Sequence, residues 1–348
     1  MPERRQFLKI LESSPEFAVY GLRSQFFARK LHEMSFLSVA QEVRRLLPLK
    51  DSFKWDQRTS LGIDPDVFER VVGQRIQPLL FFVHPRAVSE QPSLLLYYRC
   101  VAMVSQKGLA RIAGSSVAAM KSGKTEKVDQ ETLSRVVITL NKLLSLVART
   151  FLELEPLKED HLTAFLYAEA GSQIQGSWNN AVGEQGELAV REIIARELQR
   201  HLLQVVWKDD SSTDAAQLVQ GELFRRLNRI KILRFRRGYH CVFGSEPDVS
   251  LRDSDNSPLL SVEVKAGSDP AGALERYGAA KKSFDHEEGL NPGLKKVYVA
   301  ACLTDEVQRR LTQENPFSHT FLLGELLAER DTQKRFANLF VREMTPPT

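Results

Sequence analysis

Two short runs of alternating polar and apolar residues constrain the fold of this chain more than any other feature. Residues 248–252 (DVSLR) and 260–265 (LSVEVK) both follow the two-residue period of a half-buried β-strand. The intervening residues 253–258 (DSDNSP) are turn formers, whose side chains compete locally for backbone hydrogen bonds. The sequence therefore predicts an antiparallel hairpin in which the polar side chains of each strand share one face.

The loop of this hairpin sets which residues of the two strands face each other. If the loop is symmetric, Arg252 pairs with Leu259 and Asp248 stands opposite Glu263. Side chains in such a pair lie about 4.5 to 5.5 Å apart at Cβ, and like charges at that distance destabilise a sheet. A divalent cation would offset the repulsion, because carboxylate oxygens are the ligands that Mg²⁺ prefers. Lys265 projects from the same face, where an ammonium can orient or deprotonate a water, or neutralise charge on a phosphate.

These residues resemble the signature of a nuclease superfamily. Glu246-Pro247-Asp248 followed by Glu263-Val264-Lys265 is similar to the short PD-(D/E)xK motif. The longer runs SEPDV and EVKAGSDPAGALERYGAAKKSF resemble type II restriction endonucleases, most nearly the XcyI type, over about the last half of the chain. The resemblance implies Mg²⁺-dependent hydrolysis of double-stranded DNA to 3′-hydroxyl and 5′-phosphate ends. It also implies a homodimer on a palindromic, GC-rich hexamer such as CCCGGG.

Two glutamates precede the hairpin in a segment with a helical pattern. Residues 183–187 (GEQGE) are predicted to open this helix. In nucleases that this chain resembles, a glutamate on the preceding helix reaches the metal site. That resemblance makes Glu187 the candidate for a further catalytic and metal-binding carboxylate, with Glu184 second. The alternative is that both carboxylates only interact with the positive end of the helix dipole.

A basic tract lies just before the hairpin. The chain has 48 basic and 44 acidic residues, so its net charge of +4 does not by itself indicate a nucleic-acid partner. Residues 225–237 (RRLNRIKILRFRR), however, contain seven basic residues and no acidic one. The alternative to a DNA-backbone contact is a solvated helix face. The predicted DNA-contact residues are Arg225, Arg226, Arg229, Lys231, Arg234, Arg236 and Arg237, with Arg276 and Lys281 from the helix after the hairpin.

The order of predicted elements indicates the fold class. After Lys265, Asp269 is predicted to cap a helix in which Gly278 allows close packing on the sheet. Further strands are predicted at 294–303 and 320–323, with a helix around 307–311 between them. This order predicts an α/β (α+β mixed) fold with a central mixed sheet flanked by helices, as in restriction endonucleases.

The first half of the chain has helical spacing, and the clearest helix is predicted at 132–154. The glycines around 171–176 predict a domain boundary near residue 175. We therefore expect a helical DNA-recognition or dimerisation domain at 1–175 and a PD-(D/E)xK catalytic domain at 176–348.

Several other classes of site are disfavoured by the sequence. Cys100, Cys241 and Cys302 are odd in number and widely spaced, which argues against disulfides or a zinc site and favours buried thiols. The segment Gly123-Lys124-Thr125 lacks the earlier glycine of a phosphate-binding loop, since Ala118 stands at that position, so no nucleotide cofactor is expected. No apolar stretch is long enough to span a membrane, and a cytoplasmic location is expected.

Two other functions fit the same residues. A repair or recombination nuclease of the same fold would recognise DNA structure instead of sequence. A non-catalytic DNA-binding protein would use the carboxylates only structurally, and would bind DNA without hydrolysing it.

Overall fold

The computed structural model describes residues 15–33, 36–114, 130–219 and 221–345, and these fall into two units. One unit is Arg23–Ser177, and the other combines Met1–Leu22 with Trp178–Thr348. The two units divide the chain between Ser177 and Trp178. The functions expected for the two domains stay predictions.

Helices account for the regular structure in the described part of residues 15–197. Proline occupies the first turn of several of them, where its missing N–H would have had no partner. The helices are α1 (Pro15–Glu33), α2 (Phe36–Leu46), α3 (Pro65–Gly73), α4 (Pro78–Phe81), α5 (Pro85–Glu90), α6 (Leu95–Val101), α7 (Gln106–Ala113), α8 (Gln130–Leu154) and α9 (Glu159–Glu197). The helix predicted at 132–154 is confirmed by α8.

The second half of the chain forms a sheet whose described strands number eight. They are β1 (Leu202–Trp207), β2 (Ser212–Asp214), β3 (Ile230–Phe235), β4 (His240–Phe243), β5 (Val249–Arg252), β6 (Pro258–Lys265), β7 (Lys295–Ala300) and β8 (His319–Leu322). The order is β2-β1-β3-β4-β5-β6-β7-β8. Neighbours are antiparallel from β2 to β6 and parallel from β6 to β8. The predicted mixed sheet with flanking helices is confirmed.

Further helices follow the first strands or flank the sheet: α10 (Glu222–Arg225), α11 (Ala273–Ser283), α12 (Asp285–Leu290), α13 (Asp305–Glu314), α14 (Leu323–Ala328) and α15 (Arg330–Glu343). Short 3-10 turns lie at Leu47–Ser52, Pro92–Leu94, Gln199–His201, Ala215–Gln217, Leu227–Arg229, Arg236–Gly238 and Pro270–Gly272. Asp269 accepts a hydrogen bond from the backbone N of Ala271 at 3.1 Å, so the predicted cap before α11 is confirmed.

The two faces of the sheet are covered differently. The apolar residues of β5 and β6, such as Leu251 and Val262, belong to the larger core together with α9, α14 and α15. On the other side, Tyr277 of α11 packs with Tyr298 of β7 and Phe317 in a smaller core. The polar side chains of the hairpin therefore lie on the face that α11 and α12 approach.

The predicted hairpin register is confirmed except at its turn. Leu251 pairs with Leu260, as a symmetric loop requires. Arg252, however, pairs with Pro258 instead of Leu259, because a bulge shifts the register by one residue next to the turn. Since the bulge lies at the far end of the hairpin, the register near Asp248 is unaffected.

The glycine predicted to pack closely on the sheet does not do so. A Cβ placed on Gly278 would meet nothing within 4 Å, and it is Ala273, Tyr277 and Ala280 of α11 that are buried. A close contact between a helix and the end of a strand occurs instead at Gly186 of α9, which lies against Ala266 after β6.

Cys100 and Cys241 are buried thiols, as predicted, whereas Cys302 is only partly buried. The segment at Ala118 and Gly123-Lys124-Thr125 lies outside the described residues. None of the helices in the described ranges is both long enough and apolar enough to cross a membrane.

Candidate active site

The register of the β5–β6 hairpin brings Asp248 and Glu263 together. Val249 pairs with Val262, so Asp248 faces Glu263, as the sequence predicts. Oδ2 of Asp248 accepts a hydrogen bond from the backbone N of Val264 at 2.7 Å, which ties the side chain across to β6. Asp248 is only 4% exposed and Glu263 only 1%. Two acidic groups are therefore withdrawn from water at adjacent positions.

The electrostatic surroundings of Asp248 oppose its negative charge. Burial raises the pKa of Asp248 to about 7, and the carboxylates of Glu263 and Glu187 add to that increase. The hydrogen bond from Val264 and the positive charge of Lys265 lower the pKa by smaller amounts. The shift shows that the three carboxylates act on one another, and we call Asp248, Glu263 and Glu187 the carboxylate cluster.

Lys265 is the cation nearest to the buried pair. Its Nζ forms an ion pair with Oε1 of Glu263 on the same strand. The other oxygen of Glu263, Oε2, is buried and has no hydrogen-bond partner among the described residues. Leaving a buried charged oxygen unpaired is costly, so this atom is a natural ligand for a bound cation.

These residues suit a small divalent ion that retains most of its water. Mg²⁺ is commonly bound by one or two carboxylates, with water and substrate phosphate completing its shell. Asp248 and Glu263 supply two carboxylates, and the unpartnered Oε2 of Glu263 supplies a free acceptor. Within the described ranges, no group of three His, Cys, Asp or Glu side chains is arranged to hold a metal ion. The site therefore fits an ion held mainly by two carboxylates.

Glu187 comes close to the buried pair because α9 contacts the end of β6. A Cβ on Gly186 would lie 2.3 Å from Cβ of Ala266, the residue after Lys265, so only glycine permits this approach. Burial raises the pKa of Glu187, with the Arg191 guanidinium opposing the increase. The role of Glu187 as a third metal ligand stays a prediction.

The predicted start of the helix near Gly183 is wrong, because α9 begins at Glu159 and continues to Glu197. Neither Glu184 nor Glu187 therefore lies at a helix N-terminus, and the dipole alternative does not apply to them. Glu184 is exposed one turn before Glu187.

Sequence reasoning missed Arg191, which borders the carboxylate cluster. Nη2 of Arg191 lies 3.2 Å from Oε2 of Glu187 and 3.2 Å from the backbone O of Gly244, in the loop that leads to Asp248. Its guanidinium carbon is 5.1 Å from the ring centre of Phe243. The spacing of four residues between Glu187 and Arg191 was the available signal, since such residues are neighbours on a helix.

Glu287 of α12 is a second buried charge that the sequence did not reveal. It is 2% exposed, pairs with Nη2 of Arg252 and accepts a hydrogen bond from Oγ of Ser261. Both partners lie on the polar face of the hairpin. The contact fastens α12 to that face and stabilises the strands that carry the carboxylates.

The basic tract is not a single helix face. It runs through α10, a 3-10 turn, β3 and the turn after β3. Arg226 pairs with Glu222 at 2.8 Å, Lys231 pairs with Asp210 at 2.5 Å, and Nη1 of Arg234 donates to Gln204 at 3.0 Å. The remaining members of the tract are exposed, namely Arg225, Arg229, Arg236 and Arg237. Arg225 also has an interaction partner in the protein.

The two DNA-contact candidates on α11 have partners within the protein. Arg276 donates to the backbone O of Asp269, and its guanidinium lies against Gly267 and Gly272 in the loop after β6. Lys281 pairs with Glu314 at 2.5 Å. DNA contact by residues of the basic tract or by Arg276 and Lys281 stays a prediction.

Comparisons with known proteins identify the family of this chain. The family model described as XcyI restriction endonuclease matches residues 69–338. The type II restriction enzyme XcyI of Xanthomonas campestris pv. cyanopsidis is 25% identical over 288 residues, which cover 78% of this chain and 78% of that enzyme. The type II restriction enzyme Cfr9I of Citrobacter freundii is 24% identical over 253 residues, which cover 70% and 69% of the two chains. Because the family model spans well over half of the sequence, the chain belongs to the XcyI family of type II restriction endonucleases.

Proposed function

We propose that the protein makes sequence-specific double-strand cuts in DNA by Mg²⁺-dependent phosphodiester hydrolysis. The observation that carries this proposal is the buried pair Asp248 and Glu263, with the unpartnered Oε2 of Glu263 beside Lys265. Such a pair is unfavourable without a cation, and it lies at the position of the PD-(D/E)xK motif. Membership of a restriction endonuclease family supports DNA as the substrate.

Each residue of the site has a proposed role. Asp248 and Glu263 would hold the ion, and Glu187 of α9 would add a third carboxylate to the site. Bound Mg²⁺ would supply charge stabilisation at the phosphoryl oxygen and a water of lowered pKa. Lys265, whose side chain is 26% exposed, would leave Glu263 and donate a hydrogen bond to the attacking water or to a phosphate oxygen.

The target that we propose is a palindromic, GC-rich hexamer such as CCCGGG. A two-fold symmetric homodimer would present one such site to each strand of a palindrome. We propose that the catalytic domain is 176–348 and that the helical domain 1–175 reads base edges or forms the dimer contact. Exposed arginines of the basic tract would contact the phosphate backbone.

Digestion of a plasmid of known sequence tests the proposal. With Mg²⁺, we expect linear fragments of fixed length whose ends map to one short palindrome, and no cutting in EDTA. Lys265→Ala should lose cleavage by a factor of 10² or more while still binding DNA. Lys296→Ala is a matched control, because Lys296 is also partly buried and pairs with Glu288 at 2.7 Å.

Other outcomes of the same digestion would favour other functions. Cleavage confined to branched or single-stranded substrates would favour a repair or recombination nuclease. DNA binding that is equal in wild type and Lys265→Ala, with no hydrolysis in any divalent ion, would favour a non-catalytic protein.

The biological setting that we propose is a restriction system acting in the cytoplasm. Such a system needs a DNA methyltransferase that protects the host's own sites. A methyltransferase reading frame next to this one would support the proposal. Cleavage of unmodified plasmid but not of plasmid modified by that methyltransferase would test it directly.

A further inference from the structure

We propose that Arg191 is a positioning residue that holds Glu187 and the loop leading to Asp248 in one arrangement. The inference rests on the proposed function, because both groups belong to the proposed metal site. Arg191 itself contacts neither substrate nor ion in this role. It acts through the two structural elements that it joins.

A single nitrogen of Arg191 makes both connections. Nη2 donates to Oε2 of Glu187 and to the backbone O of Gly244, each at 3.2 Å. Gly244 follows β4 and opens the loop that ends at Asp248. The backbone N of Gly244 donates in turn to the backbone O of Asp248 at 3.1 Å. Arg191 therefore links the carboxylate on α9 to the backbone of the carboxylate on the hairpin.

The surroundings of Arg191 restrict it to this position. The residue is 6% exposed, and its guanidinium lies against the Phe243 ring at 5.1 Å. The loop that it contacts is tight, since a Cβ on Gly244 would lie 3.0 Å from the backbone O of Pro247. Because it is buried and packed against this ring, the guanidinium has little space in which to take another position.

Stability alone does not account for a buried arginine at this site. Nε of Arg191 is buried and has no hydrogen-bond partner in the described part of the chain, so the cost of removing the guanidinium from water is only partly offset. Replacing a buried ion pair by apolar residues of similar volume is often neutral or stabilising. The polar connections are thus better explained by the need to orient Glu187 and the loop than by folding.

Loss of this link should weaken metal binding more than it weakens the fold. Substituting residues that orient metal ligands typically costs about 10- to 100-fold in metal affinity or activity. For Arg191→Met, we expect the Mg²⁺ concentration at half-maximal cleavage, here called the Mg²⁺ midpoint, to rise about 10-fold or more. The Kd for Mn²⁺ measured by calorimetry without DNA should rise by a similar factor, so the effect does not depend on turnover.

Three further variants separate positioning from other causes. Arg191→Lys should raise the Mg²⁺ midpoint less than Arg191→Met does, because lysine keeps a positive charge and a hydrogen-bond donor beside Glu187. In a Glu187→Gln background, Arg191→Met should raise the midpoint by less than it does in the wild-type background, since the ion pair is already lost and the bond to Gly244 remains to be broken. Arg196→Met, on the same helix and also removing an ion pair to a glutamate, should leave the midpoint unchanged.

Distinct results would overturn this inference and the proposed function. The inference fails if Arg191→Met lowers cleavage only in proportion to a fall in Tm, with an unchanged midpoint and Mn²⁺ Kd. It also fails if the full effect persists in the Glu187→Gln background. If Arg191→Met does not fold, the double variant Glu187→Gln/Arg191→Met, which leaves no unpaired charge, is compared with Glu187→Gln alone. Absence of cleavage by the wild-type protein in any divalent ion would instead overturn the proposed function.

Discussion

Asp248 and Glu263 occupy positions that are costly for acidic side chains. Two like charges about 5 Å apart repel by about 3 kcal/mol at an effective dielectric constant of about 20. Burial adds to that cost, because both groups are withdrawn from water. Lys265 offsets part of the charge, yet Oε2 of Glu263 has no hydrogen-bond partner among the described residues. The Mg²⁺ that we propose for this site would relieve that cost.

Asp248→Asn should stabilise the protein in EDTA, and more so at high pH. The pKa of Asp248 is raised to about 7 in the folded state, so the folded protein holds this proton more tightly than the unfolded chain does. The associated stability is present below the ordinary pKa and is lost as the pH rises through about 7. Asparagine can still accept the bond from Val264 and carries no charge. We therefore expect the stability of the variant relative to wild type to be greater at pH 8.5 than at pH 5 by about 2 to 3 kcal/mol.

Urea denaturation in EDTA at both pH values measures this difference. The same variant should be inactive in cleavage with Mg²⁺, which separates loss of function from loss of stability. A stability difference that stays constant between pH 5 and pH 8.5 would contradict the assignment of a raised pKa to Asp248.

For individual residues, local sequence patterns predict which side chains face each other on neighbouring strands, but not which side chains of distant helices reach them. Asp248 and Glu263 could be paired from the sequence because the two-residue period and a short turn determine the register. The predicted pairing of Arg252 with Leu259 was wrong because no turn residue indicates the bulge. Arg191 and Glu287 act on the hairpin from helices distant in the sequence, and no local pattern encodes such contacts.

The helix α9 illustrates how packing overrides local propensity. It contains four glycines, each of which costs about 1 kcal/mol relative to alanine in a helix interior. Propensity alone therefore suggested a break near residues 171–176 and a new start near Gly183. The helix persists because its first part buries residues such as Phe165 in the core of the helical unit. Its last part buries residues such as Ile194 in the main core of the sheet-containing unit.

Gly186→Ala should move α9 away from β6 and impair cleavage. The new Cβ would lie 2.3 Å from Cβ of Ala266, and both atoms are fixed to their backbones, so the helix itself must shift. We expect a loss of about 1 to 3 kcal/mol in the free energy of unfolding. Since Glu187 follows directly, we also expect cleavage to fall by about 10-fold or more.

Two comparison variants make this prediction specific. Gly183→Ala, on the same helix with nothing within 4 Å of the added Cβ, should be neutral or stabilising by up to about 1 kcal/mol. Gly186→Ala/Ala266→Gly should restore the contact and recover most of the cleavage rate. Full activity of Gly186→Ala alone would show that the approach of α9 does not position Glu187.

Glu287→Gln tests how strongly α12 is held to the hairpin. The substitution leaves Arg252, whose side chain is 17% exposed, without its anion. We expect a loss of about 2 to 4 kcal/mol in the free energy of unfolding, as for other broken buried pairs. The neighbouring Glu288→Gln, which removes an ion pair of a side chain that is 45% exposed, should cost about 1 kcal/mol or less. Equal losses in the two variants would contradict a structural role for the buried charge.

For the molecule as a whole, the sequence predicted the kind of sheet correctly but missed some of its strands. The mixed sheet was predicted from strands whose alternation or apolar runs are clear, namely β5 to β8. The strand β1 was missed because Leu202 continued the helical spacing of the preceding residues. Strand β3 was missed because its apolar residues were interpreted as anchors of a basic tract. The net charge of +4 gave no sign of the basic tract, which only the local sequence at residues 225–237 revealed.

The exposed arginines of the basic tract lead to a prediction about DNA binding by the full chain. Arg229, Arg236 and Arg237 are exposed, and none has an ion pair to a described residue. Replacing all three with glutamine, in a cleavage-deficient Lys265→Ala background, should weaken DNA binding at low salt. Each lost phosphate contact should reduce the slope of log K against log salt by about 0.9, so a total reduction of about 2 to 3 is expected.

A second triple variant removes the same charge elsewhere. Arg309, Arg310 and Lys334 lie on α13 and α15 and pair with acidic neighbours on their own helices. Arg309 and Lys334 are exposed, and Arg310 is partly exposed. Replacing them with glutamine changes the net charge equally, so an effect of net charge alone would lower both slopes by the same amount. Fluorescence anisotropy between 50 and 200 mM salt measures the slopes, since phosphate contacts dominate the salt dependence over that range. A slope that falls only in the first variant would place the DNA backbone along the tract, and equal slopes would exclude it.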